Sequence, residues 1–327
     1  MRTRTMKLPQ SFMRWTGRLL AAALMVTLVL PVTSGAQDAK PDTQAFATPD
    51  AAAEALMAAI KAKDRSKALA ILGEGSGEWI TSGDPVQDAQ ARERFIAAYD
   101  EKHAIEKEAE AQAKLVVGED GFPFPIPLIK GDQGWAFDAE LGREEILDRR
   151  VGENELNTIQ VLLAIADAQL DYASRDWDGD GLRAYASRFQ SSEGKRDGLY
   201  WPADDSESLS PLGPLVAQAA KEGYSGARED TDDGASTPYH GYRFKLLKRQ
   251  GTDAEGGAYD YRVGDEMVGG FAVIAYPTKY GASGIMTFIV NHDGTPYEAD
   301  LGPETEAIVL KLEEYNPDDE WKRVATE

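Results

Sequence analysis

The sequence predicts an α+β protein made of two packed units. The first unit, residues 48–142, has three segments with helical spacing of apolar residues, followed by a strand pair. The second unit, residues 143–327, begins with helical segments and changes to alternating strand patterns from Gly241 onward. Helices followed by antiparallel strands in each unit are typical of the α+β class.

The first 36 residues have the pattern of a signal peptide. Five basic residues precede an apolar run over residues 19–32, and Ser34-Gly35-Ala36 supplies small residues for cleavage before Gln37. The apolar run is too short for a comfortable transmembrane span, and no later segment is long or apolar enough to form one. We therefore expect a periplasmic or secreted protein without a membrane span after cleavage.

Composition narrows the classes of partner. The chain of 327 residues has a formal net charge of −21 and no cysteine, so it cannot form disulfides. The leader contains five basic and no acidic residues, and its removal lowers the formal charge to −26. Such a charge repels nucleic acid and anionic lipid, which excludes both as favoured partners. It would attract divalent cations or basic partners.

The N-terminal unit follows a polar tether, residues 37–47. Thr48-Pro49-Asp50 supplies a hydroxyl N-cap, a proline at the first helical position and an acid in the first turn. Residues 67–72 and 86–103 predict two further helices.

A proline-rich stretch, "GFPFPIPLIK", follows these helices. Prolines alternate with Phe122, Phe124, Ile126 and Leu128, so an extended chain would lose the N–H donors of one edge and place the apolar side chains on one face. This pattern predicts an edge strand with its free side blocked against pairing. The alternative is a polyproline ligand for a partner protein. Trp135 and Phe137 begin the return strand.

The second unit combines helices with an antiparallel sheet. We predict a hairpin centred on Asp293-Gly294 and a short buried strand in "GGFAVIAYP". Helices are predicted for 143–150, 153–175, a short segment through Leu182, Tyr185 and Phe189, a segment from Ser210 to Gly223, and 305–315.

An aspartate-rich turn is the candidate metal site. Asp176, Asp178, Asp180 and the Leu182 carbonyl match positions 1, 3, 5 and 7 of an EF-hand loop, and Gly181 matches position 6. Position 12 is Ser187, which cannot supply a bidentate carboxylate. Two interpretations stay open: a weak structural calcium site, or a solvated turn between helices.

Aromatic residues suggest a candidate ligand surface. Tyr200, Trp201 and Tyr239 could stack on a glycan or a peptide. The alternative interpretation is that these rings are wedged between the two units.

Sequence patterns for catalysis are weak. Neither Ser76 nor Ser283 has the flanking glycines of a hydrolase nucleophile, and the three histidines are far apart in sequence. Acidic residues crowd the junction of the units, where a glycosidase could use a carboxylate pair. The neighbouring arginines favour a salt-linked junction instead. The junction acids are Glu144, Glu145, Asp148, Glu153 and Glu155.

Several phrases together resemble a known family. "FPFPIPLIK…GWAFD", "EEILDRRVGENEL", "GKRDGLYWP", "SPLGPLV" and "GGFAVIAYPTKYGASGIMTFIVNHDGTPYEADLG" are similar to exported bacterial proteins grouped as domain of unknown function 2950. The N-terminal unit also resembles the cone fold of nuclear transport factor 2, and the C-terminal strands resemble the β-rich heads of pilin-like proteins. The long N-terminal membrane helix of pilins is missing from this chain.

The sequence favours an exported, non-catalytic binding or envelope-associated protein, with calcium as the one candidate cofactor. An envelope protein, a peptide or a glycan is the expected partner. Two alternatives are an envelope hydrolase that acts on glycan or peptidoglycan through paired carboxylates, and an accessory protein of a pilus or secretion system.

The calcium interpretation predicts a calcium-dependent stability. The midpoint of thermal unfolding should rise with calcium but not with magnesium, because only the folded chain would present the site. Asp178→Ala should abolish the rise. If calcium does not change the midpoint of the natural chain, the polar-turn interpretation of this stretch is correct.

Overall fold

The helices begin where the sequence supplies capping side chains. This computed structural model describes residues 43–177, 179, 181–202, 209–224 and 237–325. At the start of the first helix, Thr48 Oγ1 accepts the N–H of Ala51 at 3.1 Å. Asp64, Asp84 and Asp138 cap the next three α-helices in the same way. The six described α-helices are α1 Pro49–Lys61, α2 Arg65–Leu72, α3 Pro85–Glu101, α4 Ala139–Ala173, α5 Gly213–Lys221 and α6 Thr305–Lys311.

In the described part of the chain, three antiparallel or mixed sheets accompany these helices, which confirms the predicted α+β class. The strands are β1 His103–Ala109, β2 Gln112–Val117, β3 Phe122–Pro123, β4 Leu128–Gly131, β5 Gly134–Phe137, β6 Tyr242–Leu247, β7 Arg249–Gln250, β8 Tyr259–Asp260, β9 Ala272–Pro277, β10 Thr287–Asn291, β11 Tyr297–Ala299, β12 Glu314–Tyr315 and β13 Lys322–Arg323. Their orders are β1-β2-β4-β5 with β3 on β2, β13-β11-β10-β9-β6, and β12-β7-β8.

The proline-rich stretch is only partly the predicted edge strand. Val116 of β2 pairs with Pro123, and Ala113 of β2 pairs with Leu128. The two paired positions are three residues apart in β2 but five residues apart in the proline-rich stretch. The two extra residues bulge out of the ladder, since prolines cannot donate to it. The edge prediction is wrong for β4, which lies between β2 and β5. Among the predicted inward side chains, Ile126 is fully buried but Phe122 is 54% exposed.

α4 is one continuous helix, although the sequence predicted two helices separated by Val151-Gly152. A glycine inside a helix costs only about 1 kcal/mol. Burial of the stripe that includes Leu162 and Ile165 outweighs that cost. The boundary proposed between residues 142 and 143 lies inside α4, whose first turns pack on the N-terminal core and whose later turns pack on the C-terminal core.

The helix predicted after the aspartate turn is absent from residues 181–190, which the structure describes as irregular. Buried Gln169 of α4 instead pairs with the backbone of Ala186, accepting its N–H at 2.8 Å and donating to its carbonyl at 2.9 Å. Tyr185 N–H bonds the carbonyl of Met267. Backbone N–H and C=O groups that would form the hydrogen bonds of a helix therefore bond to other segments of the protein instead.

The C-terminal sheet follows the prediction closely. β9 and β10 are buried along their whole length, as expected for the "GGFAVIAYP" run. Thr287 pairs with Ala299 across the hairpin that contains Asp293-Gly294, which confirms that turn. Within the described part of the chain, none of the helices contains an apolar stretch sufficient to cross a bilayer.

Gly142 is where α4 crosses the proline segment. A Cβ at this position would lie 2.7 Å from Ile126 Cα and 2.8 Å from the carbonyl oxygen of Pro125, so backbone would have to move. Gly142→Ala should therefore destabilise the protein by about 1–3 kcal/mol, measured by urea unfolding.

Gly152 provides the matched control in the same helix, since a Cβ there meets nothing within 4 Å. Gly152→Ala should stabilise the protein by about 0.5–1 kcal/mol. Equal effects of the two substitutions would contradict the close crossing at Gly142.

Candidate functional site

An apolar cavity lies among the N-terminus of α3, the middle of α4, α5 and β6. Its volume is about 240 Å³. α4 contributes Val161 and Ile165, and α5 contributes Leu215, Val216 and Ala219. α5 has no fully buried residue, and its apolar face both packs against the C-terminal core and lines the cavity.

Asp84 is the one charged side chain among the described residues that line the cavity. It is 1% exposed, and four donors surround its carboxylate. Oδ1 accepts the N–H groups of Val86 and Gln87 at 3.0 and 3.1 Å, and so caps α3. Oδ2 accepts the Tyr224 hydroxyl at 2.9 Å and the Gly241 N–H at 3.1 Å. The four hydrogen bonds compensate for the burial of the charge.

A second carboxylate, Glu222, lies just beyond the last turn of α5. Its Oε2 accepts the Tyr239 hydroxyl at 3.0 Å and lies 3.1 Å from Nε2 of His240. Its Oε1 accepts the amide of Gln218 at 2.6 Å. Gln90 of α3 donates to its backbone carbonyl. These contacts hold the end of α5 against α3 and the chain that enters β6.

Two tyrosine rings form the polar end of the cavity. Tyr224 and Tyr239 both line it, with ring centroids 4.9 Å apart and planes at 78°. Burial, reinforced by the charge of Asp84, raises the pKa of Tyr224 far above its usual range. Burial and then the charge of Glu222 do the same for the pKa of Tyr239. Both hydroxyls therefore stay protonated and donate to the carboxylates.

A sharp backbone turn brings these groups together. His240 has φ +50° and Gly241 has φ +74°, so two successive residues are left-handed. A Cβ at position 241 would lie 2.6 Å from Nδ2 of Asn154, which leaves room only for glycine. The turn directs the His240 N–H at the Tyr224 hydroxyl, 3.3 Å away, and the Gly241 N–H at Asp84.

The predicted calcium ligands are only partly within the described residues. Asp176 accepts the N–H groups of Gly179 and Gly181 at 2.7 and 3.0 Å, as in a polar turn. Leu182 is about half exposed. Asp178 and Asp180 lie outside the described residues. Among those that are described, no group of three or more metal-ligating side chains comes together. The calcium site therefore stays a prediction.

The three predicted aromatic residues lie in different surroundings. Tyr239 lines the cavity. Trp201 is 5% exposed and packs against Trp177, with ring centroids 5.0 Å apart. Tyr200 is half-buried and hydrogen bonds through its backbone to Phe189, which also lines the cavity.

The junction acids are spread along α4. Glu145 forms an exposed ion pair with Arg149 at 2.5 Å. Glu155 accepts the N–H groups of Ile285 and Met286, both at 3.0 Å. Burial lowers the pKa of neighbouring Arg150, which donates to the carbonyls of Trp79, Ile80 and Ala282. These bonds connect α4 to the loops on either side.

Sequence reasoning missed Asp84 and Tyr224. Asp84-Pro85 before an apolar periodic segment is an N-cap signal, and it could have located the start of α3. No sequence signal pairs Asp84 with Tyr224 or Gly241, which lie 140 and 157 residues away.

Comparison with known proteins gives one match. A family model described as "Protein of unknown function (DUF2950)" matches residues 43–324. No curated protein and no solved structure matches the chain. The resemblances of the two units to nuclear transport factor 2 and to pilin heads therefore stay predictions.

Asp84→Ala should destabilise the protein by about 3–5 kcal/mol, because it removes a helix cap and leaves buried donors without an acceptor. Asp64 is the matched control. It is an exposed N-cap, and its side chain accepts one N–H of α2, that of Lys67. Asp64→Ala should cost about 1 kcal/mol. Chemical denaturation measures both values, and equal losses would show that the contacts with Tyr224 and Gly241 contribute nothing.

Proposed function

The chain belongs to the DUF2950 family, and we propose that it is an exported, non-catalytic protein that binds a small ligand. An apolar group of the ligand enters the cavity between α4 and α5. The remainder of the ligand faces the end of the cavity formed by Tyr224, Tyr239 and Asp84.

The cavity itself is the observation that carries this proposal. Ligand sites are typically concave and mainly apolar, with a few fixed polar groups, and this cavity has that character. Its volume of about 240 Å³ exceeds the roughly 150 Å³ of an engineered cavity that binds benzene. It lies below the range of about 300–1,000 Å³ for drug-sized ligands. The apolar group is therefore the size of a short alkyl chain or a small ring system.

The state of the carboxylates supports binding rather than catalysis. A general base must have an oxygen free to accept a proton from the substrate. Both oxygens of Asp84 already accept two hydrogen bonds each, and both oxygens of Glu222 are also engaged. These groups fix the shape of the site.

Export is supported by the sequence of the leader. Its basic residues, apolar run and small residues before Gln37 have the order that signal peptidase substrates share. A periplasmic or secreted location would bring the cavity into contact with small molecules and envelope components.

Ala219 offers a test of the cavity, because it lines the cavity from α5. The purified natural chain should enhance the fluorescence of N-phenyl-1-naphthylamine, a neutral apolar dye. Ala219→Phe fills the space and should weaken binding of the dye about tenfold or more.

Ala220 is the adjacent control on the exposed side of the same helix. Ala220→Phe should bind the dye like the natural chain. The proposal fails if the natural chain does not bind the dye, or if Ala219→Phe binds it equally well.

A further inference from the structure

The charge around the cavity is negative. Asp84 lines it, and Glu222 lies behind Tyr239 with its Oε2 3.0 Å from the tyrosine hydroxyl. None of the described lining residues is a lysine or an arginine. The His240 ring lies 3.1 Å from Glu222. An anionic ligand group at this end would meet two carboxylates and no lysine or arginine among the described lining residues.

Aromatic rings cluster at the same end. The rings of Tyr224 and Tyr239 meet edge to face, and the His240 ring lies 4.2 Å from that of Tyr239. Phe189 and Phe244 add further rings to the lining. The negative face of such rings attracts organic cations, most strongly where water is excluded.

The hydrogen bonds distinguish between kinds of cation. Asp84 accepts four hydrogen bonds, and the hydroxyls of Tyr224 and Tyr239 are directed at carboxylates. Both oxygens of Glu222 also have donors. A primary ammonium has three N–H donors, and each carboxylate oxygen here already has a donor, so the ammonium would replace only part of the hydrogen bonds it makes with water. A quaternary ammonium has no N–H donors and incurs no such loss.

We infer that the ligand is an organic cation, with a quaternary ammonium group against Tyr224 and Tyr239 and a short apolar chain in the cavity. This inference rests on the proposed function, since it names the chemical class of ligand for the same cavity.

Competition against N-phenyl-1-naphthylamine tests the inference with four compounds that share one alkyl tail. Octyltrimethylammonium, octylammonium, 1-octanol and octanoate are each titrated into the natural chain below their micelle concentrations. The quaternary ammonium should displace the dye at a concentration about tenfold lower than octanoate requires, as expected for a desolvated cation–π contact. It should also displace the dye more strongly than octylammonium.

Two pairs of variants identify the groups responsible. Tyr239→Phe keeps the ring and should keep the preference for the quaternary compound, whereas Tyr239→Leu keeps only the apolar character and should reduce it. Glu222→Gln removes the nearby negative charge. In this variant, octyltrimethylammonium should displace the dye less strongly relative to 1-octanol than it does in the natural chain. Glu119→Gln makes the same change of net charge in an exposed ion pair with Lys102 and should have no effect.

The outcomes separate the two proposals. If the dye and 1-octanol bind but octyltrimethylammonium displaces the dye no better than octanoate does, the inference of a cationic ligand is wrong. The proposal that the cavity binds an apolar ligand group would still stand. If the dye itself does not bind, the proposed function is wrong. A preference that persists unchanged in both Tyr239→Leu and Glu222→Gln would also overturn the assignment.

Discussion

The buried carboxylate of Asp84 is the interaction on which the arrangement of this protein depends. One oxygen caps α3, and the other holds the Tyr224 hydroxyl and the N–H of Gly241. A single side chain therefore connects an N-terminal helix, the chain after α5 and the entry to the C-terminal sheet. Since a buried charge is tolerated only when it is fully hydrogen bonded, these three segments are constrained to meet at one point. The cavity opens beside that point.

α4 provides the second constraint, because it spans both cores as one element. Its first turns cross the proline segment at Gly142, and Leu162 and Ile165 pack under the C-terminal sheet. Between them, Arg150 and Asn154 donate to backbone carbonyls of neighbouring loops. The helix thus fixes the distance between the segments that Asp84 joins, and it forms one wall of the cavity. The cavity is a consequence of the packing of α4, α5 and β6 around apolar side chains.

Much of the fold could be predicted from local patterns, and much of the site could not. The cap at Thr48, the buried strand β9 and the turn at Asp293-Gly294 depend on neighbouring residues, so the sequence predicted them correctly. The break expected at Gly152 and the helix expected after the aspartate turn were wrong, because tertiary burial and the contacts of Gln169 outweighed local preference. Tyr239 was predicted as one of three aromatic residues that could stack on a ligand. Its neighbours in the structure come from distant segments, which no local pattern reveals.

The contact between Asp84 and Gly241 also bears on the order in which the chain can fold. The two residues are separated by 157 positions, and Tyr224 is 140 positions from Asp84. Closing so long a loop costs conformational entropy before the contact can contribute any stabilisation. Folding becomes slower as such non-local contacts increase. Until Tyr224 and Gly241 have been synthesised, one carboxylate oxygen of Asp84 therefore lacks both of its distant donors. It must stay in water until then, because its burial without them would be costly.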